Sequence, residues 1–226
     1  MNHSLEAAYG SATSAESRNR VLRNTYWLLA LSMVPTVLGA WVGLATGVTS
    51  ALTGGIGLVV FLAGAFGFMF SIEKTKNSAA GVPILLAFTF FMGLMMSRLL
   101  GVVLGRADGA GLIMMAFAGT GAIFFGMATL SSVIKRDLSS MGKFLFIGLI
   151  MLVVAGIANV FIQSSALMIT LSVLGIGIFS AFILHDLKRV KDGLETYYIT
   201  ATLGVYLSLY NLFQSLLVVF GLSSDD

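Results

Sequence analysis

Long apolar runs alternate with short polar breaks along this chain. After residue 20 there are seven runs, over 22–46, 51–71, 80–104, 110–131, 143–162, 165–185 and 196–220. Each is close to the roughly 20 residues that a helix needs to cross the hydrocarbon of a bilayer. The runs are continuously apolar rather than alternating, which excludes the strands of a membrane barrel. Lipid offers no outside partner to a backbone amide, so each run should close its own hydrogen bonds as a helix. The pattern predicts an all-α integral membrane protein with seven transmembrane helices.

The flanks of these runs are informative. Residues 1–20, MNHSLEAAYGSATSAESRNR, are polar, small and unpatterned. A secretory signal would begin its apolar core sooner, so this segment reads as a flexible, retained tail. The transmembrane domain then covers 21–222, and 223–226 form a short polar end. Arg18, Arg20 and Arg23 precede or open the first run. Lys74 and Lys76, then Lys135, Arg136 and Lys143, then Lys188, Arg189 and Lys191 mark every second break. The opposite breaks carry only Arg106. The positive-inside rule places the basic side in the cytoplasm. The N-terminus is then inside and 223–226 outside.

Composition supports the bilayer as solvent. The 226 residues are 58% hydrophobic and 10% charged, against about 25% charged in soluble domains. Mean hydropathy is +0.97. Cysteine is absent and the two histidines are His3 and His185. That excludes thiolate sites and a His-rich metal site. The net charge of +3 comes with no basic run dense enough for nucleic acid. Glycines and alanines recur at four-residue spacing at Ala63 and Gly67, at Ala118, Ala122 and Gly126, and at Gly177 and Ala181. This spacing is expected to mark close helix–helix packing. No strand precedes these glycines and no Lys-Ser/Thr follows them, so they are not a nucleotide loop.

The last run is unusual. In GVYLSLYNLFQSLLVVFG, residues 204–221, Ser208, Asn211, Gln214 and Ser215 interrupt the apolar sequence without a single charge. At 100° per residue Gly204, Ser208, Asn211 and Ser215 fall within about 60° of one another. An unsatisfied polar group in lipid costs several kcal/mol, so this stripe must face protein or water. Two readings stay open: interhelical hydrogen bonds, or the wall of a polar pathway. Asp186 ends the sixth run and Glu195 opens the seventh. Each is either an interfacial charge or a functional carboxylate. Arg98, near the outer end of the third run, is expected to snorkel outward. No nucleophile–base–orienter set, HExxH or paired intramembrane Asp is present, so the chain is not read as an enzyme and needs no cofactor.

SAFILHDLKRV (180–190) and VYLSLYNLFQSLLVVFG (205–221) resemble the C-terminal signature of the Bax inhibitor-1, or transmembrane BAX inhibitor motif, family. VLRNTYWLLALS (21–32) and GLETYYITATLGVYLSLYN (193–211) resemble its bacterial YccA-like branch. The resemblance implies a bacterial inner membrane and six helices surrounding a central seventh. It also implies two alternative roles. In the first, the protein binds and modulates the membrane protease FtsH with its HflK/HflC partners, and is a slow substrate pulled by its N-terminal tail. In the second, it is a calcium or cation leak, in which one aspartate on the sixth helix and one on the seventh form a pH-sensitive pair. Asp186 matches the first aspartate and makes a weak metal candidate. The family pattern YLDxxNLF reads YLSLYNLF here, so Ser208 replaces the second, and the gating pair is broken. Asp186, Ser208, Asn211, Ser215 and Glu195 remain the candidates for a polar core or pore.

Overall fold

A computed structural model describes the backbone of residues 2–50, 52 and 54–222, and the side chains of residues 15–50, 52 and 55–221. Among the described residues there are seven helices and no strand: α1 (Asn2–Thr46), α2 (Gly54–Thr75), α3 (Gly81–Leu104), α4 (Gly109–Val133), α5 (Met141–Ile162), α6 (Ser165–Lys191) and α7 (Tyr198–Leu222). All seven are long and apolar enough to span a membrane. The short end expected at 223–226 lies outside the described residues.

Two boundaries differ from the hydrophobic pattern. The backbone of α1 is helical from Asn2, so the segment expected as an unpatterned tail continues the first helix. The physical reason is its composition: Ala7, Ala8, Ala12 and Ala15 are strong helix formers, and Glu16 pairs with Arg20 at 3.7 Å, one turn on. The apolar run itself opens near residue 22, so the helical backbone of residues 2–14 lies ahead of it. The sixth helix, expected to stop at 185, runs to Lys191. Its last turn holds Lys188, Arg189 and Lys191, cations that suit the negative end of a helix. Asp186 therefore lies inside α6 rather than at its end.

The tightest packing joins α1 to α3. A Cβ added to Gly39 would lie 2.1 Å from the Phe90 carbonyl oxygen, and one added to Gly93 would lie 1.9 Å from that of Thr36. A Cβ added to Gly43 would lie 2.3 Å from Ser97 Oγ. Backbones in contact gain dispersion without a hydrophobic driving force, which is absent between helices in lipid. The stripes at Ala63/Gly67, Ala118/Ala122/Gly126 and Gly177/Ala181 do not make such contacts. Gly67, Gly126 and Gly177 have nothing within 4 Å of an added Cβ, and Ala63, Ala118 and Ala122 are exposed. Small side chains on a lipid-facing surface share the same spacing, and spacing alone does not separate the two cases.

Of the seven spans α7 is the most buried. It touches α1, α2, α3, α4 and α6 but not α5, which packs on α6 and meets α2 only marginally. One face of α7 enters the α1–α3 pair. There the Tyr206 hydroxyl lies 2.9 Å from Thr36 Oγ1, and the Tyr210 hydroxyl donates to the Met92 carbonyl at 3.1 Å. At the end bearing the basic loops, Lys76 sits over the Tyr197 ring at 4.9 Å. In the α4–α5 loop Asp137 accepts from the Ser139 hydroxyl and backbone N–H, which hold its carboxyl below the usual range. At the opposite end Arg98 donates to the Leu52 carbonyl at 2.8 Å. It thus leads out of the span and ties down the α1–α2 connection.

Candidate functional site

The other face of α7 carries the polar stripe. Because α5 stays clear of α7, a cavity of about 950 Å3 opens between α2, α5, α6 and α7. Gly204, Ser208, Asn211, Gln214 and Ser215 all line it. The stripe therefore faces a cavity, bounded on the far side by apolar residues of α2 and α5 such as Phe61, Phe66 and Leu152. Ser208 donates to the Gly204 carbonyl at 3.0 Å, and Asn211 Nδ2 to that of Leu207 at 2.8 Å. These bonds back onto the helix occupy donors and leave oxygen lone pairs available to the cavity.

Asp186 lies at one end of the cavity and is its only ionisable residue among the described lining. Its Oδ1 is 3.2 Å from Nδ1 of His185. Two glycines make room for this pair. A Cβ on Gly204 would lie 2.9 Å from Asp186 Oδ2, and one on Gly142 would lie 2.8 Å from His185 Nε2. So α7 and the start of α5 both approach α6 where a side chain would intrude. Asn159, Gln163 and Ser164 line the opposite end, where α5 gives way to α6. Gln163 there adopts a left-handed backbone with φ of 56°. Asn159 Oδ1 accepts from the Ser164 N–H at 3.0 Å, and Ser164 Oγ caps α6 by accepting from the Leu167 N–H at 3.2 Å. From Ser165 to Asp186, at 1.5 Å per residue, the lining follows α6 for about 30 Å.

The structure thus brings four of the five sequence candidates, Asp186, Ser208, Asn211 and Ser215, to one cavity. Glu195 is elsewhere. It accepts from the Tyr197 N–H at 3.0 Å and lies 4.0 Å from Arg189, an arrangement that suits the start of a helix. The far polar group, Asn159, Gln163 and Ser164, went unread in the sequence. Its signal is the cluster NVFIQSS between two apolar runs. Among the described residues no three His, Asp or Glu side chains come together as a metal site.

Comparison with known proteins gives the family. A family profile described as inhibitor of apoptosis-promoting Bax1 matches residues 18–225. A protein of Escherichia coli strain K12 named modulator of FtsH protease YccA is 36% identical, over 95% of this chain and 95% of its own length. An uncharacterised protein of Neisseria meningitidis serogroup A is 37% identical, over 96% of this chain and 98% of its own. An uncharacterised membrane protein of Vibrio cholerae is 33% identical across the full length of both. With the profile covering nearly the whole chain and relatives above 30% identity along its length, this chain belongs to the Bax inhibitor-1 family.

Proposed function

We propose that the chain is an inner-membrane partner of an FtsH-type membrane protease and of its HflK/HflC associates. It binds the protease, limits its turnover of other substrates, and is itself degraded slowly. The observation that carries this reading is the full-length relative named modulator of FtsH protease. The mechanical logic fits the chain. The basic loops face the cytoplasm in this reading, so residues 1–14 precede the first span on the side where an ATP-driven protease pulls. An isolated polar helix is marginal in water and gives way readily. Pulling then meets α1, which is locked backbone to backbone against α3 at Gly39 and Gly93. Resistance there holds the protease on an unproductive substrate.

The test is purification from native membranes in mild detergent, with residues 1–14 present or deleted. The eluate is assayed for the protease and HflK/HflC, and turnover is followed by pulse-chase. Retention of the protease with turnover lost on deletion supports the reading. Absence of the protease from both samples overturns it.

A second reading is a cation leak, favoured by the cavity that runs from Asp186 to Ser164. Calcium prefers several oxygen ligands including carboxylates, and here Asp186 is the one carboxylate of the described lining, with Ser208 in place of the family's second aspartate. Calcium flux in proteoliposomes that disappears with Asp186→Asn would favour this reading over the first.

A further inference from the structure

We propose that the cavity between α2, α5, α6 and α7 is a binding site for a single-chain lipophilic ammonium: a protonated amine on one alkyl chain. The site is elongated. Its lining follows α6 for about 30 Å, and its volume is about 950 Å3, so it suits a chain better than a compact ring system. That volume lies at the upper end of the about 300–1,000 Å3 typical of small-molecule sites, which pair apolar walls with a few placed polar groups.

The walls specify the two parts of the ligand. Phe61, Phe66, Phe179 and Met69 offer an apolar and aromatic surface to an alkyl body. The head is specified by charge. Asp186 is the only ionisable residue of the described lining, and its Oδ2 points at the gap left by Gly204. The Ser208 hydroxyl donates to the Gly204 carbonyl, so it presents lone pairs one turn away. An ammonium brings three donors and no acceptor and matches this set. A carboxylate or phosphate head would meet Asp186 with like charge. Charge complementarity therefore selects the cation, and apolar length selects the chain. Entry is lateral: α2 and α5 meet only marginally, so an amphiphile already in the bilayer can slide between them. This inference does not depend on any protease partner, and it is tested on the purified protein.

The full-length protein is placed in lipid nanodiscs and titrated with radiolabelled dodecylamine, protonated at pH 7, with empty nanodiscs as the partition background. Saturable binding at one site per chain is expected, competed by unlabelled dodecylamine but not by dodecanoate. Asp186→Asn should weaken it by about tenfold or more, as expected for losing a hydrogen bond to a charged group. Glu195→Gln, which alters a carboxylate outside the cavity, should leave it unchanged. Gly156→Phe supplies an independent check. Gly156 lines the cavity with open space where its Cβ would be, so the ring fills the site without displacing backbone. Binding should be lost while the thermal unfolding midpoint is kept. Uptake no greater than in empty nanodiscs would overturn the proposal. So would equal binding by the wild type, Asp186→Asn and Gly156→Phe, or equal competition by dodecanoate.

Discussion

Lys191 reaches from the last turn of α6 to the C-terminal part of α4. Its ammonium donates to the Ala128 carbonyl at 3.0 Å, to Ser131 Oγ at 2.7 Å and to Ser132 Oγ. A cation here meets the negative end of α4 and satisfies three oxygens at once. Lys188, three residues earlier, pairs instead with Asp192, the residue that follows α6, at 2.5 Å. The two lysines look alike in the sequence, where both belong to the basic cluster that orients the chain. Their roles differ because Lys191, nearly one turn further along α6, reaches the end of α4. Lys191→Met keeps the apolar stem and removes the charge. It is expected to destabilise the protein by about 1.5–3 kcal/mol, the range for hydrogen bonds to a charged group. Lys188→Met should cost only about 0.3–0.5 kcal/mol, as for an i,i+4 pair near the surface. Unfolding midpoints of the two variants in detergent, measured side by side, check this. Equal losses would mean that the contact with α4 contributes no more than the pair with Asp192.

Helix by helix, the contact between α1 and α3 depends on three glycines. Gly93→Ala would place a Cβ 1.9 Å from the Thr36 carbonyl, so the helices must part, at about 1–3 kcal/mol for overpacking. Gly67→Ala meets nothing within 4 Å and should stabilise α2 by about 0.5–1 kcal/mol through helix propensity. Opposite signs in thermal unfolding would confirm which small residues lie between helices, and a loss at Gly67 as large as at Gly93 would refute it. The pair also shows what the sequence can express. The seven spans were legible because an apolar run of membrane length has few alternatives. The partners of each span were not, because lipid is as apolar as a neighbouring helix and both accept the same residues. GAWVG at 39–43 and GLMMS at 93–97 have the spacing of the outward-facing stripes, yet only they are contacts. The polar side of α7 was legible for the opposite reason: Ser208, Asn211 and Ser215 are poorly tolerated by lipid, so their direction was constrained. That they face α6 and a cavity beside it was hidden, since the cavity depends on α5 standing off from α7.

For the whole molecule, most of the outer surface of α5 and parts of α1 and α4 are large apolar side chains, such as Trp27, Phe125, Phe144 and Phe161, each at least 70% exposed. These faces meet lipid, so removing a helix from the bundle costs its buried contacts rather than its whole apolar surface. The order of removal then decides how fast the protein can be degraded. A protease pulling on the N-terminus extracts α1 first, and α1 is held chiefly by α3 and by the Tyr206 side of α7. Under the proposed function, weakening that contact should speed degradation without altering recognition. Gly93→Ala is expected to shorten the half-life in cells by about fivefold or more, the factor carried by one to two kcal/mol, with unchanged recovery of the protease in pull-downs. Deletion of residues 1–14 should lengthen the half-life while leaving the unfolding midpoint of the bundle unchanged. Gly67→Ala, on the lipid face of α2, should not shorten it. If Gly93→Ala lowers the unfolding midpoint but leaves the half-life as it was, extraction of α1 does not limit turnover, and the resistance of the α1–α3 pair is not what holds the protease.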